Sequence, residues 1–364
     1  MKFVFGAGGT GGHITPALAL ADELVKYQHS VLFIGNRSSI EETLCAASGY
    51  SFRQIKIQKL YRSLKPQNLL FPFYLLSSII TCTRILKKEK PQAVICTGGF
   101  VSGPVAISAA LLKIPLFFHE SNCYPGLVTR KMAKKIDTVF ISFANTSRFL
   151  HNVKLVNYGI PLRQTVTDSS STPFDLSSIG LRTDKPVIIV SGGSQGSVAV
   201  NTVVSFALED ILALGYQVIW QTGKISYERF AAKHKEREGV YLFAFSPDLP
   251  KMLSRCSLAI TRAGAMTIAE LEENHLPAIL IPLPTAAENH QYYNALAQQE
   301  KGVAMLLEQS KLTPVTLIAG IKEMIADRDS YLNRLCSLPP NRAAEKIIAY
   351  ILNYLKDNRR NNAG

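Results

Sequence analysis

A chain of 364 residues is longer than one ordinary hydrophobic core organises, so two domains are expected. Its hydrophobic fraction of 47% and charged fraction of 18% exclude a disordered polymer, and it has no run of about eighteen apolar residues with which to span a membrane. Forty Lys and Arg against 27 Asp and Glu leave +13 at neutral pH, which calls for an anionic partner: nucleic acid, a phosphorylated substrate or acidic lipid.

Lys2-Phe-Val-Phe5 enters a strand and then a glycine loop at once, so a signal peptide is not expected there. The apolar runs at 3–5, 31–34, 93–96, 116–118 and 138–141 are of the kind that form buried parallel strands. Segments between them, such as 16–27, carry helical periodicity. This β/α alternation predicts a parallel sheet covered by helices. Residues 165–184, rich in Ser, Thr, Pro and Asp, predict a linker and a surface loop. The pattern then restarts with a strand over 185–190, a glycine turn over 191–197 and a helix over 198–214. Further strands are predicted at 218–221, 240–243, 258–261 and 278–281. Two α/β domains are thus expected, over 1–162 and 163–340. A last helix over 342–360 carries a stripe of Ala344, Ile347, Ile348, Ile351, Leu352 and Leu355, so it packs against something. The first domain, joined by 341–364, is the expected partner. The cysteines (Cys45, Cys82, Cys96, Cys123, Cys256 and Cys336) form no C-x-x-C, which predicts reduced thiols and no metal cluster.

Gly6-Ala-Gly-Gly-Thr-Gly-Gly-His13 sits between a strand and a helix, where glycines bring backbone N–H groups and a helix dipole against an anion. Gly6, Gly8 and Gly11 formally satisfy G-x-G-x-x-G, which puts a dinucleotide site among the alternatives. The second strand ends Ile34-Gly-Asn-Arg37, however, with no carboxylate for a ribose hydroxyl, although Arg37 is suited to NADP. No Lys-Ser/Thr follows, which excludes P-loop chemistry. Thr97-Gly-Gly-Phe-Val-Ser-Gly-Pro104 and Ser191-Gly-Gly-Ser-Gln-Gly-Ser197 are two more such loops. Each alone is equally a tight strand-to-helix turn. Parallel sheets gather such turns at their carboxyl ends, so together they predict a cleft with several anion cradles.

Gly8-Gly-Thr-Gly-Gly-His13, Gly98-Gly-Phe-Val-Ser-Gly-Pro104, His119-Glu-Ser-Asn122, Gly192-Gly-Ser-Gln-Gly196, Thr261-Arg-Ala-Gly-Ala-Met-Thr-Ile-Ala-Glu270 and Glu288-Asn-His-Gln-Tyr-Tyr-Asn-Ala295 occur in this order. In this the chain closely resembles the MurG family of N-acetylglucosaminyltransferases, from about Lys2 to the final helix. The resemblance implies a GT-B fold: two Rossmann-like domains with parallel sheets facing across a cleft. It also implies inverting, metal-free transfer from UDP-GlcNAc to lipid I, with no cofactor. The one D-x-D string, Asp327-Arg-Asp329, falls in a helical stretch and reads as a solvated face.

Matching motif positions implies the following roles. Glu270 accepts from the ribose hydroxyls, or is an ordinary helix carboxylate. Ala265, Met266 and Thr267 open a helix that holds the α-phosphate. Ser194 meets a phosphate, Arg163 contacts the nucleotide, and Phe245 with Ser246 lines the uracil pocket, core packing being the other reading of Phe245. Asn122, His290 and Gln291 occupy positions that touch the sugar hydroxyls. Thr129 stands where the family carries Asn, and His290 where relatives often carry Gln. Thr10, Gly11, Gly12 and His13 also belong to the donor set. Gly8, Gly9, Gly98, Gly99, Phe100, Ser102 and Gly103 form the cradle for the acceptor pyrophosphate. His13 is the catalytic base, or binds pyrophosphate, or caps its helix. His119 and Glu120 supply or orient the base, or form a structural pair.

Leu69-Leu-Phe-Pro-Phe-Tyr-Leu-Leu-Ser-Ser-Ile-Ile80 is too short to span a bilayer. Leu75, Leu76 and Ile79, with Arg84, Lys87 and Lys88 beyond, predict a patch for an acidic phospholipid surface, a core helix with a solvated basic end being the alternative. The implied location is peripheral, on the cytoplasmic face of the bacterial inner membrane. A sugar-nucleotide epimerase of similar shape is a rival reading. So is a nucleic-acid-binding protein, although no zinc, RRM-like or helix-turn-helix signature supports one.

Overall fold

The computed structural model describes residues 1–58, 69–163, 174–193 and 195–361. The chain divides into two compact units, Met1–Gln164 with Asn341–Gly364, and Thr165–Pro340.

The first unit alternates strand and helix: β1 (Lys2–Ala7), α1 (Gly11–Lys26), β2 (Ser30–Asn36), α2 (Ile40–Ala47), β3 (Ser51–Ile55), α3 (Phe71–Glu89), β4 (Ala93–Gly98), α4 (Ser102–Leu111), β5 (Leu116–Glu120), α5 (Leu127–Met132), β6 (Thr138–Ile141) and β7 (Leu155–Asn157). Its strands pair in parallel in the order β3-β2-β1-β4-β5-β6-β7. Phe3, Val4 and Phe5 are wholly buried because helices cover both faces of β1. Helix α1 begins at Gly11, five residues before the periodic stretch. Gly11 and Gly12 at its start, and Pro16, hide its first turn from any apolar pattern.

The second unit repeats the scheme with β8 (Val187–Ser191), α6 (Val198–Ala213), β9 (Gln217–Gln221), α7 (Tyr227–His234), β10 (Val240–Phe243), α8 (Leu249–Leu253), β11 (Leu258–Thr261), α9 (Ala265–Glu273), β12 (Ala278–Leu280), α10 (His290–Glu300), β13 (Ala304–Leu306), α11 (Pro314–Ala326) and α12 (Arg328–Cys336). Its sheet is also parallel, ordered β10-β9-β8-β11-β12-β13. Asp327 and Asp329 lie exposed where α11 meets α12.

The last helix, α13 (Ala343–Asn361), returns to the first unit. Ile347, Ile348, Ile351 and Leu355 join Phe3, Phe5, Ile14 and Leu24 in one core. Tyr354 donates to Asp137 at 2.6 Å, and the Tyr350 and Thr138 hydroxyls lie 3.2 Å apart. Each fully buried Ile or Leu contributes about 1.5–3 kcal/mol, so the stripe fastens the helix.

In both sheets the chain starts in the middle and reverses direction once. The reversals fall between β1 and β4 and between β8 and β11. Crevices outside the strand ends at such switch points are where open α/β sheets bind ligands. The glycine loops sit there. Charge divides unevenly: the first unit holds 25 Lys and Arg against 9 Asp and Glu, the second 15 against 18.

Candidate active site

At the first switch point the loop after β1 and the loop after β4 interlock. Gly9, Gly98 and Gly99 take left-handed φ of +93°, +101° and +79°. A Cβ on Gly99 would stand 1.9 Å from the Gly8 carbonyl, and one on Gly98 2.7 Å from the His13 ring. Only glycine permits this approach. Ser102 is fully buried, with its hydroxyl 2.7 Å from the carbonyls of both Gly6 and Gly98, so it clips the loops together instead of facing a ligand. Gly103 is buried beside it, and the Gly103 and Ser102 N–H groups bond to Phe100 and Gly99 carbonyls. Gly9 donates its N–H to Glu41. The N–H groups of Thr10, Gly11 and Gly12, in the loop and the first turn of α1, find no partner among the described residues, and neither do those of Gly99 and Phe100. These are the groups that the fold leaves to an anion.

His13 sits in that first turn. Its Nδ1 is 3.0 Å from the Thr97 carbonyl, and Thr97 donates its hydroxyl back to the His13 carbonyl at 2.6 Å. A carbonyl only accepts, so Nδ1 carries the proton and Nε2 keeps a lone pair. Burial pushes the imidazole below its usual range, against the raising effect of the Thr97 bond, so it is neutral at pH 7.

His119 and Glu120, at the end of β5, are placed differently. His119 is wholly buried, with Nε2 3.1 Å from the Gly159 carbonyl and 3.3 Å from the Ser142 hydroxyl, and Nδ1 3.4 Å from the Ser121 hydroxyl. Burial drives its pKa down to about 4. Glu120 is buried and accepts from Asn122 N–H, Gly126 N–H and the Thr129 hydroxyl at 3.1, 2.9 and 2.8 Å. Burial raises its pKa, and these donors oppose the rise. Both side chains hold the 120–129 loop through hydrogen bonds inside the unit. Asn122 belongs to that loop. Arg163 is also in the first unit, where its guanidinium grips Asp22 at 2.7 and 3.2 Å and reaches Ser48.

At the second switch point the Gly192–Ser197 loop presses on the loop after β9. A Cβ on Gly196 would lie 2.1 Å from the Thr222 carbonyl, and one on Gly223 2.4 Å from the Gln195 carbonyl. Ser194 lies outside the described residues. Gln221 donates to the Ser191 hydroxyl at 3.2 Å and accepts the Ser246 N–H at 3.2 Å, which draws the Phe245–Ser246 segment to the same edge. Phe245 is 47% exposed, so it is not a core residue. Helix α9 starts after Gly264 with no side-chain cap, and the N–H groups of Ala265, Met266 and Thr267 find no partner among the described residues. Glu270, five residues into α9, is half-buried without a hydrogen-bond partner among the described residues, and burial pushes its pKa up to about 7. At α10, Gln291 accepts the Leu283 N–H at 2.9 Å, and His290 Nδ1 is 2.7 Å from the Ala287 carbonyl. Glu288 and Asn289 before it are both left-handed.

Sequence reasoning missed Arg262. It is 8% exposed and donates to the Ile281 and Pro282 carbonyls at 3.1 Å, to the Ser197 hydroxyl at 2.7 Å and to Gln309 at 2.6 Å. All four acceptors are neutral. Burial lowers its pKa to about 10, so it stays cationic, a buried positive charge beside the glycine loop. The signal was a lone cation between an apolar strand and a glycine turn.

Residues 3–141 match the glycosyltransferase family 28 N-terminal domain, and residues 187–347 match the family 28 C-terminal domain. A relative from Carboxydothermus hydrogenoformans is 37% identical over 331 residues, 89% of each chain. One from an Exiguobacterium species is 36% identical over 341 residues, 92% of this chain and 94% of the relative. Both are UDP-N-acetylglucosamine--N-acetylmuramyl-(pentapeptide) pyrophosphoryl-undecaprenol N-acetylglucosamine transferases. The crystal structure of Acinetobacter baumannii MurG superposes with a TM-score of 0.77 at 26% identity, covering 97% of this chain and 99% of that one. The bare amides, the unpaired carboxylate and the interlocked glycine loops thus stand in a chain that belongs to this N-acetylglucosamine transferase family, within glycosyltransferase family 28.

Proposed function

We propose that the protein transfers GlcNAc from UDP-GlcNAc to the C4 hydroxyl of MurNAc in lipid I, with inversion, giving lipid II for peptidoglycan. The carrying observation is Glu270: a carboxylate with no hydrogen-bond partner among the described residues, held near pKa 7 by burial, on a helix whose opening amides likewise find none there. A diol donates two hydrogen bonds to a carboxylate, and a phosphate accepts from helix-terminal amides, so the pair fits a nucleoside diphosphate. In this reading the second unit (165–340) binds the donor. Arg262 and the α9 amides oppose the charge that develops on departing UDP, with Ser194 at a phosphate and Phe245 and Ser246 at uracil. Asn122, Arg163, His290 and Gln291 complete the donor contacts.

The first unit binds the acceptor, its pyrophosphate against the free amides of Thr10, Gly11, Gly12, Gly99 and Phe100. His13 Nε2 takes the proton of the attacking hydroxyl as the new C1–O bond forms and the bond to UDP breaks. His119 and Glu120 serve this by fixing the neighbouring loop. No step calls on a metal.

The acceptor's lipid brings the protein to a membrane surface. No helix among the described residues is long and apolar enough to cross a membrane. Leu69, Leu70, Phe73, Leu76 and Ile80 are exposed around and along α3, with Arg84, Lys87 and Lys88 following. We assign this face to acidic lipid on the cytoplasmic side of the bacterial inner membrane.

Incubation of the purified protein with labelled UDP-GlcNAc and lipid I should give a labelled lipid-linked disaccharide. Release of free sugar alone, or incorporation from UDP-glucose at an equal rate, would refute the assignment.

A further inference from the structure

Glu41, in the first turn of α2, is only 1% exposed. Its Oε2 accepts the Gly9 N–H at 3.3 Å and its Oε1 accepts the Asn36 N–H at 3.2 Å. Two glycines make room for it. A Cβ on Gly8 would stand 2.5 Å from Oε1, and one on Gly35 2.8 Å from the Glu41 Cγ. A buried carboxylate thus sits beneath the first glycine loop, from a segment to which sequence reasoning gave no role.

Both partners of Glu41 are donors, so the site needs two acceptors. A carboxylate supplies them, whereas an amide would turn its NH2 towards one N–H. With Gly9 turned inward onto Glu41, the next three amides, of Thr10, Gly11 and Gly12, are the ones left without a partner among the described residues. The charge on Glu41 opposes a bound phosphate, so its contribution is geometric.

We infer that Glu41 is a positioning residue for the acceptor: by holding the Gly9 N–H inward, it fixes the loop so that the three following amides meet the acceptor pyrophosphate. This rests on the acceptor reading of the loop given above. It assigns Gly9 to the scaffold and not to the ligand.

The test compares wild-type protein with Glu41→Gln, Glu41→Ala, Gly8→Ala and the double variant Gly8→Ala/Glu41→Ala. Kinetics are measured with UDP-GlcNAc and lipid I varied in turn, and the Gly9 amide is followed by NMR without substrate. In Glu41→Gln the KM for lipid I should rise about tenfold, the effect of leaving one buried donor unmet, while the KM for UDP-GlcNAc stays. The Gly9 amide proton should move upfield. Gly8→Ala should cost activity in the wild-type background and little more in Glu41→Ala. An unchanged KM for lipid I, an equal loss for both substrates, or additive effects in the double variant would each overturn the inference. Should Glu41→Gln fail to fold, Gly8→Ala, whose methyl displaces the carboxylate, carries the same comparison. Failure of wild-type protein to use lipid I would defeat the acceptor reading and the acceptor role with it. The Gly9 shift would still decide whether Glu41 holds the loop.

Discussion

His13 and His119 are both histidines at the ends of central elements, yet their surroundings divide them. His13 spends one nitrogen on Thr97 and the other meets no partner among the described residues, while His119 spends both inside the unit. Replacing His13 with Gln should lower kcat by about 10²–10⁴-fold, the usual size of a general-base contribution, with little change in the KM for UDP-GlcNAc. Because burial lowers the His13 pKa, the base form persists to lower pH than for a free imidazole. With UDP-GlcNAc saturating, so that Glu270 stays charged, the acid limb of the kcat/KM profile for lipid I should therefore fall below 6.5, and a limb at or above 6.5 would exclude His13 as the base. Glu270 gives the opposite sign. A pKa of about 7 means that it holds a proton at pH 6, and hydroxyl donors favour the charged form. Donor binding should thus release protons at pH 6–7, read by calorimetry in buffers of different ionisation enthalpy, and Glu270→Gln should abolish the release. The motif strings made His13 and Glu270 legible as candidates. They did not separate His13 from His119, because hydrogen-bond saturation depends on Gly159 and Ser142, which are far away in sequence. Arg262 escaped because its acceptors, two backbone carbonyls and the Ser197 and Gln309 side chains, come from segments far apart in sequence.

Among the elements, α3 teaches most. The segment 69–80 is apolar at nearly every position, so nothing in it marks which side faces out. Sequence reading placed the patch at Leu75, Leu76 and Ile79. The structure corrects this: Leu75 packs against the core and Ile79 is half-buried, whereas Phe73, Leu76 and Ile80 are exposed on the face that continues into Arg84 and Lys87. Changing Phe73, Leu76 and Ile80 together to Ser should lower partitioning into acidic vesicles on the order of a hundredfold at about 1 kcal/mol per side chain, with the far-UV CD spectrum unchanged. Equal partitioning would remove α3 from the membrane contact. The strands follow a related rule. Those inside the sheets were readable because two covered faces and two neighbours demand continuous apolar sequence. β3, β7 and β13 were not foreseen, and all three are edges. Ser51, Arg53 and Gln54 of β3 are exposed, so its pattern lacks the signal that betrays an interior strand.

For the molecule as a whole, two α/β units were legible because the strand, glycine turn and helix of the opening recur after residue 184. The +13 total was equally plain, but its partition was not. The first unit is +16 and the second −3, so the surplus belongs wholly to the part that carries α3. Binding to vesicles should accordingly require anionic lipid and weaken steeply between 0.05 and 0.5 M salt (about 14 and 4 Å of screening length), and salt-insensitive binding to neutral vesicles would contradict it. The return of α13 carries a consequence for the chain as it is made. Ile347, Ile348, Ile351 and Leu355 complete a core that Phe3 and Phe5 begin, yet the 176 residues of the second unit are translated in between. At ordinary elongation rates that is roughly ten to thirty seconds on the ribosome, during which the oldest part of the polypeptide waits unsealed. A stop codon just past 340 would leave it so permanently, and quality-control proteases would find it there.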